Sequence, residues 1–310
     1  MTAHQSQPGA HSGEQPGEQP GEQPRAPRSP RRRPHPGWQP KLVALDIDGT
    51  IFTAGHGAAS TTVVEVVSPA LKDAVDRVVS AGAHVVLCSG RSTFGMTEVL
   101  DMLELPRDLS DRVLSVASNG SVTFAYPPVD VLTTVTFDAS RIVRMLLEHV
   151  PHALVAVEEI GVGYRVNRPF PEGEINGEIV LQSVEELVAE PVTRVIVRDP
   201  DSTAEEFIAL AERIGLHGIN YFIGWTAWLD LAPAGVSKAS GLEEVTRRLG
   251  VAAEDVLAIG DGRNDIEMLE WAGRGVAMGQ APLEVQEAAD FVTATVQDEG
   301  AARELDRWFR

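Results

Sequence analysis

The stretch Lys41–Thr50, KLVALDIDGT, constrains this chain more than any other. Four apolar residues, Leu42 to Leu45, run straight into two carboxylates spaced i, i+2, Asp46 and Asp48, and then Gly49. A short unbroken apolar run closed by Gly is the pattern of a strand buried on both faces, as in a parallel sheet. Such a strand delivers Asp46 at its carboxyl end, the edge at which open α/β sheets bind ligands. Gly49 permits a tight exit and Thr50 adds a hydroxyl. Asp and Gly are also ordinary turn residues, so these ten residues alone leave a plain strand-to-turn reading open. Two crowded acids repel, which favours a cation or a shared proton. A hard cation with few protein carboxylates and a phosphate is the natural occupant.

Three later segments have the same form. The apolar run His84–Cys88 ends in Ser89-Gly90-Arg91. A hydroxyl and amides at a following helix N-terminus suit a phosphate oxygen, and Arg91 suits a forked contact to phosphate or to an acid. Gly235-Val236-Ser237-Lys238 opens a helical stripe of Leu242, Val245 and Leu249. The helix dipole opposes a lysine in the first turn, so Lys238 predicts a negative neighbour. Val256–Ile259 runs into Gly260-Asp261-Gly262-Arg263-Asn264-Asp265. Two Asp four apart around Gly can serve a hard cation, although Asp and Asn also cap helices.

These four segments, in this order, resemble the four motifs of the haloacid dehalogenase-like (HAD) phosphatases. Ser89-Gly90-Arg91, Asn119-Gly120 and Gly235–Lys238 resemble its Cof-type subgroup, which carries a type IIB cap. The resemblance covers residues 41–123 and 232–310 through motifs, and 124–231 through position only. It implies an α/β fold: a doubly wound parallel-sheet, Rossmann-like core with an inserted α+β cap domain. It gives Asp46 as nucleophile, Asp48 as general acid/base and Lys238 as the stabiliser of nucleophile and phosphate. It gives Ser89, Gly90, Arg91 and Asn264 as phosphate-binding residues, and Asp46, Asp48, Asp261 and Asp265 as the holders of Mg2+. The implied activity is magnesium-dependent hydrolysis of a small phosphorylated metabolite, a sugar phosphate or a relative, through an aspartyl phosphate. A phosphosugar mutase-like phosphotransferase and a catalytically silent binding module are the alternatives. A dinucleotide enzyme is disfavoured, because no Gly-x-Gly-x-x-Gly follows the first strand.

Residues 1–40 read differently. Gly-Glu-Gln-Pro occurs three times in tandem at 13–16, 17–20 and 21–24, and five arginines follow among prolines. Such a segment buries too little apolar surface to offset its ordering entropy, so a disordered tail is expected. Trp38 either docks on the body or marks its edge. The tail carries five Arg and three Glu, +2, which leaves −21 of the total −19 on the remaining 270 residues. That charge argues against nucleic acid and anionic membrane as partners. Cys88 is the single cysteine; with no disulfide, no apolar leader and no spanning stretch, a cytoplasmic protein is expected. Oligomeric state is not readable.

Between 124 and 231 the rhythm changes. β-type runs at Val131–Phe137, Leu154–Val157, Tyr164–Asn167, Val192–Val197 and Ile219–Ile223 alternate with helical runs at Ser140–Val150 and Thr203–Ile214. This predicts an antiparallel sheet covered on one face. Glu158, Glu159, Tyr164, Arg165 and Asn167 are polar candidates for specificity, most of them expected in solvent. Trp225 and Trp228 suit a pocket wall or a domain joint.

Overall fold

The computed structural model describes residues 37–52, 65–106, 111–214, 219–223 and 228–310. Residues 1–36, residues 53–64 and Trp225 lie outside the described residues.

The chain enters at β1 (Leu42–Leu45), buried throughout. Ser68 caps α1 (Pro69–Ser80) by accepting from the Leu71 amide, and Pro69 occupies the first turn, where no N–H is needed. β2 (His84–Leu87) and the Ser92-capped α2 (Thr93–Met102) follow, then β3 (Val113–Ala117), β4 (Val122–Tyr126) and β5 (Asp130–Thr134). The middle of the chain holds α3 (Ser140–His149), β6 (Leu154–Glu159), β7 (Gly163–Val166), β8 (Glu178–Leu181), the single turn α4 (Val184–Leu187), β9 (Val195–Arg198), α5 (Ala204–Ile214), β10 (Ile219–Ile223) and β11 (Trp228–Pro233). The last part holds α6 (Lys238–Leu249), β12 (Val256–Gly260), α7 (Ile266–Trp271), β13 (Arg274–Ala277), α8 (Leu283–Ala288), β14 (Phe291–Val292) and α9 (Gly300–Leu305).

Five strands form a parallel sheet in the order β14-β13-β12-β1-β2. Alternation along β1 explains the two helical layers. Val43 and Leu45 pack with side chains of α1, α2 and α9, while Leu42 and Ala44 pack with α6, α7 and α8. The doubly wound core is therefore present. Strand β3 departs from it. β3 touches β2 through a single parallel bridge, Cys88 to Val116, and otherwise pairs antiparallel with β4, which pairs with β5. The run expected at Val131–Phe137 is thus the outer strand of a three-stranded unit. Period-two alternation shows that a strand has two faces but not which partner it takes.

The inserted sheet has the order β10-β11-β9-β6-β7-β8 and is antiparallel except for the β7–β8 pair. Val155, Val157, Val195, Val197, Leu229 and Leu231 face α3 and α5. The opposite face holds Ala156, Tyr164 and Ile196, together with buried Glu158, Arg194 and Asp230. Among the described residues no helix is long and apolar enough to cross a membrane.

Candidate active site

Parallel pairing sets three strand ends side by side. Leu45 lies opposite Leu87 and Ile259, so Asp46, Ser89 and Asp261 follow at one edge of the sheet. Lys238 is the first residue of α6, capped by Ser237, and is fully buried. Its ammonium donates to Asp46 Oδ1 and to Asp265 Oδ1, both at 2.6 Å. The negative neighbour that the helix dipole demands is therefore a pair of acids. Asp265 Oδ2 accepts from the amides of Asp261 at 3.0 Å and Gly262 at 2.8 Å, which holds the 260–265 turn around it. Gln280 Nε2 donates to Gly49 O at 2.6 Å and to Asp261 Oδ2 at 3.2 Å. Gly49 has φ +82°, and a Cβ there would fall 1.9 Å from Asp261 Oδ2. Only glycine lets the two turns approach this closely.

The electrostatics follow from burial and crowding. Burial first, then Asp265, pushes the Asp46 carboxyl well above its ordinary value, with Lys238 opposing. Burial and Asp265 push Asp261 up to about 6, against the Gln280 hydrogen bond and Lys238. Burial pulls Lys238 down, but Asp265 and Asp46 outweigh it and hold the ammonium above its ordinary range. Oxygens of Asp46, Asp261 and Asp265 lie within 4.8 Å of one another. One ammonium among three carboxylates leaves the cluster short of positive charge. An all-oxygen donor set of this kind suits a hard cation, so the residues present fit magnesium.

Asp48 stands apart from that cluster by its side chain. Arg91 grips it with a fork, Nε to Oδ2 at 2.9 Å and Nη2 to Oδ1 at 2.6 Å. The same guanidinium donates to Glu65 and lies over the Phe52 ring. Of the two partners the sequence allowed for Arg91, the structure shows the acids. Ser89 is buried, and its hydroxyl accepts from the Arg91 amide at 3.2 Å. Asn264 Nδ2 donates to Asn119 Oδ1 at 2.9 Å, and the Asn119 amide also lies against Gly90, 3.1 Å from where a Cβ would be. The structure thus gathers Asp46, Lys238, Asp261 and Asp265 into one cluster. It places Ser89, Gly90 and Asn264 around Asn119, and Asp48 with Arg91.

Sequence reasoning passed over Gln280, Glu65, Arg194 and Asp230. A signal existed for Arg194: it puts a charge inside the apolar run Val192–Val197, one residue before β9 and out of step with Val195 and Val197. Its fork holds Asp230 at 2.7 Å on both oxygens, and Nη1 donates to Tyr164 Oη at 3.1 Å. The solvated state expected for most of the 124–231 candidates fails for two of them. Tyr164 is buried beside Arg194, and Glu158 Oε1 accepts from the Thr93 amide at 3.1 Å while Oε2 accepts from Ser118. Glu159 is paired with Arg165, and Asn167 accepts from the Val155 amide at 2.7 Å. Trp228 packs against Phe170. Cys88 is buried, and burial pushes its thiol up, as expected of an inert core residue.

Comparison with known proteins gives a concordant result. The family model for haloacid dehalogenase-like hydrolases matches residues 43–305. The Bacillus subtilis protein YkrA, named as a candidate phosphatase, is 27% identical over 275 residues, covering 84% of this chain and 95% of its own. YitU of Bacillus subtilis, a 5-amino-6-(5-phospho-D-ribitylamino)uracil phosphatase, is 25% identical over 282 residues, covering 87% of this chain and 98% of its own. The solved structure of BT1666 from Bacteroides thetaiotaomicron, described among phosphatases of the HAD superfamily, aligns with a TM-score of 0.68 at 28% identity, covering 89% of this chain and 97% of that one.

Proposed function

Because the chain belongs to the haloacid dehalogenase-like hydrolases, we propose that it is a magnesium-dependent phosphatase acting on a small phosphate monoester. The observation that carries this reading is the buried Lys238 ammonium, hydrogen-bonded to Asp46 and Asp265 with Asp261 alongside. A static ion pair needs one acid; three acids around one ammonium make a site for a cation and an anion together.

In this reading Lys238 holds Asp46 Oδ1, and Asp46 Oδ2 attacks phosphorus in line. The Oδ2–P bond forms as the bond from phosphorus to the leaving oxygen breaks, and Asp48 gives its proton to that oxygen. Asp48 then takes a proton from water, the water oxygen bonds to phosphorus, and the Asp46 carboxylate is released with inorganic phosphate. Lys238 and the Ser89 hydroxyl face the charge that spreads over the transferring oxygens. Ser89, Gly90, Arg91 and Asn264 form the phosphate side. For Arg91 this requires its fork to exchange a carboxylate for phosphate oxygens. Asp46, Asp48 through its backbone carbonyl, Asp261 and Asp265 would hold magnesium, which when bound supplies positive charge to the phosphate oxygens and to the crowded acids.

The substrate is a phosphorylated metabolite of sugar-phosphate size or a relative of it; the named activity of YitU supports a small phosphorylated polyol conjugate as one member of that class. The division into a core of 41–123 and 232–310 and a cap of 124–231 belongs to the same reading. An insertion is supported by the position of the six-stranded sheet between the motif-bearing segments, while β4 (Val122–Tyr126) and β11 (Trp228–Pro233) run across the bounds 123/124 and 231/232. The test is phosphate release across a panel of phosphate esters, with magnesium and after exhaustive chelation. Free inorganic phosphate in magnesium alone is expected. Transfer to a sugar acceptor without free phosphate would favour the mutase, and no turnover of any ester would remove the enzymatic reading.

A further inference from the structure

Asn119 joins the site to the inserted sheet. Ser118 and Asn119 have φ of 51° and 54°, a left-handed conformation that costs a non-glycine residue of order 1 kcal/mol. Strain kept at a buried turn is compensated by contacts, and Asn119 makes them in three directions. Its backbone N–H donates to Ser89 O at 3.1 Å. Its Oδ1 accepts from Asn264 at 2.9 Å. Its Nδ2 donates to Asp230 Oδ2 at 3.2 Å, and Asp230 is in turn held by the Arg194 fork. Gly120 seats the same turn on α6: a Cβ there would fall 2.0 Å from Ser237 O, one residue before Lys238.

Chemistry fixes the polarity of this chain of contacts. Arg194 only donates, and both Asp230 oxygens accept from it. The group that Asn119 turns toward Asp230 must therefore be its NH2, and its carbonyl then faces Asn264. Only the NH2 of Asn264 can meet that carbonyl, and an NH2 carries a second hydrogen that remains to donate to an anion. Reversing either amide would set donor against donor or acceptor against acceptor.

We propose that Asn119 is a positioning residue: relayed from the Arg194–Asp230 pair, it fixes the Asn264 amide as a donor and steadies the Ser89 strand end, so that phosphate affinity depends on an ion pair in the inserted sheet. This rests on the phosphate-ester reading above.

The test uses the full chain with magnesium, following inorganic phosphate by calorimetry and para-nitrophenyl phosphate hydrolysis by rate. Asn119→Gly tolerates the left-handed backbone and removes only the side chain. Phosphate Kd and KM are expected to rise about tenfold, with a smaller fall in kcat. Adding Asn119→Gly to Asn264→Ala should cost nothing further, because one residue acts through the other. Asp230→Asn can present an NH2 to Asn119 and let its amide reverse, so it too should weaken inorganic phosphate, a ligand with no leaving group to contact the sheet. If Asn119→Gly fails to fold, Asp230→Asn carries the test. Additive losses in the double variant, or unchanged phosphate affinity in Asp230→Asn, overturn the proposal while leaving an active wild type a phosphatase. A wild type that neither binds phosphate nor hydrolyses an ester overturns both readings.

Discussion

Replacing Asp261 by Asn should stabilise the metal-free protein while removing its response to magnesium. The Asp261 carboxyl is raised from an ordinary 3.8 to about 6 by burial and by Asp265. Below the lower value both folded and unfolded chains hold the proton and no difference arises. Between the two values the folded state alone keeps it, so stability falls as pH rises. Above about pH 6 both states are ionised, and the folded state carries the whole penalty, of order 3 kcal/mol. Asparagine keeps the shape beside Gly49 and an oxygen for Gln280, but no charge. In chelator near neutral pH, Asp261→Asn should melt higher by roughly 6 °C, using about 2 °C per kcal/mol for a chain of this size. The advantage should vanish near roughly pH 4, where wild-type Asp261 is protonated. In magnesium the order should reverse, because a ligand bound only by the native state raises the wild-type melting temperature. Differential scanning fluorimetry in a matrix of pH, chelator and magnesium reads all three effects. A variant that melts below wild type in chelator at neutral pH, or whose advantage persists unchanged in acid, would refute the crowding argument.

Other perturbations separate the roles of neighbouring groups. Asp46→Asn keeps the shape but removes the proposed nucleophile, so mass spectrometry of quenched enzyme should find no phosphoryl adduct; an adduct elsewhere would reassign the attack. Asp48→Asn should slow esters with poor leaving groups far more than activated ones, and equal losses across leaving groups would remove its acid role. Lys238→Met leaves Asp46 and Asp265 buried without their cation, which should cost about 3–5 kcal/mol in denaturant unfolding as well as turnover; turnover lost at unchanged stability would contradict the buried pairing. A chain beginning at Gly37 should keep wild-type stability, whereas Trp38→Ala should lose about 3 kcal/mol, since Trp38 is buried, donates to Glu254 O and stacks edge-on with Trp308. Equal stability of all three chains would show that Trp38 does not dock.

What could be read from the sequence was local. The run Leu42–Leu45, the Ser68-Pro69 cap and the lysine opening α6 each announce their structure within a few residues, because burial on both faces, a missing N–H and an opposed dipole are local constraints. What escaped was non-local or unpatterned. Asn119 meets Asp230 across 111 positions and Asn264 across 145, and no periodicity encodes such a pairing. β8 is exposed along its length, so neither face is marked by hydrophobic alternation. Arg91 met two suitable acids, and only the fold selects between an acid and a phosphate. Glu158 looked solvated because its partners, Thr93 and Ser118, belong to other segments of the chain.

The placement of β1 between β2 and β12 also has a consequence for synthesis of the chain. β2 emerges soon after β1, but Val256 of β12 follows Leu45 by 211 positions. At about 5–20 residues per second, that gap takes roughly 10–40 s to translate. For that interval one edge of an apolar strand has no native partner, and an unpaired edge is a template for the wrong one. The inserted sheet, complete by Pro233, leaves the ribosome first. The insertion that lies beside the candidate active site therefore also sets how long the central strand of the nascent protein must be shielded.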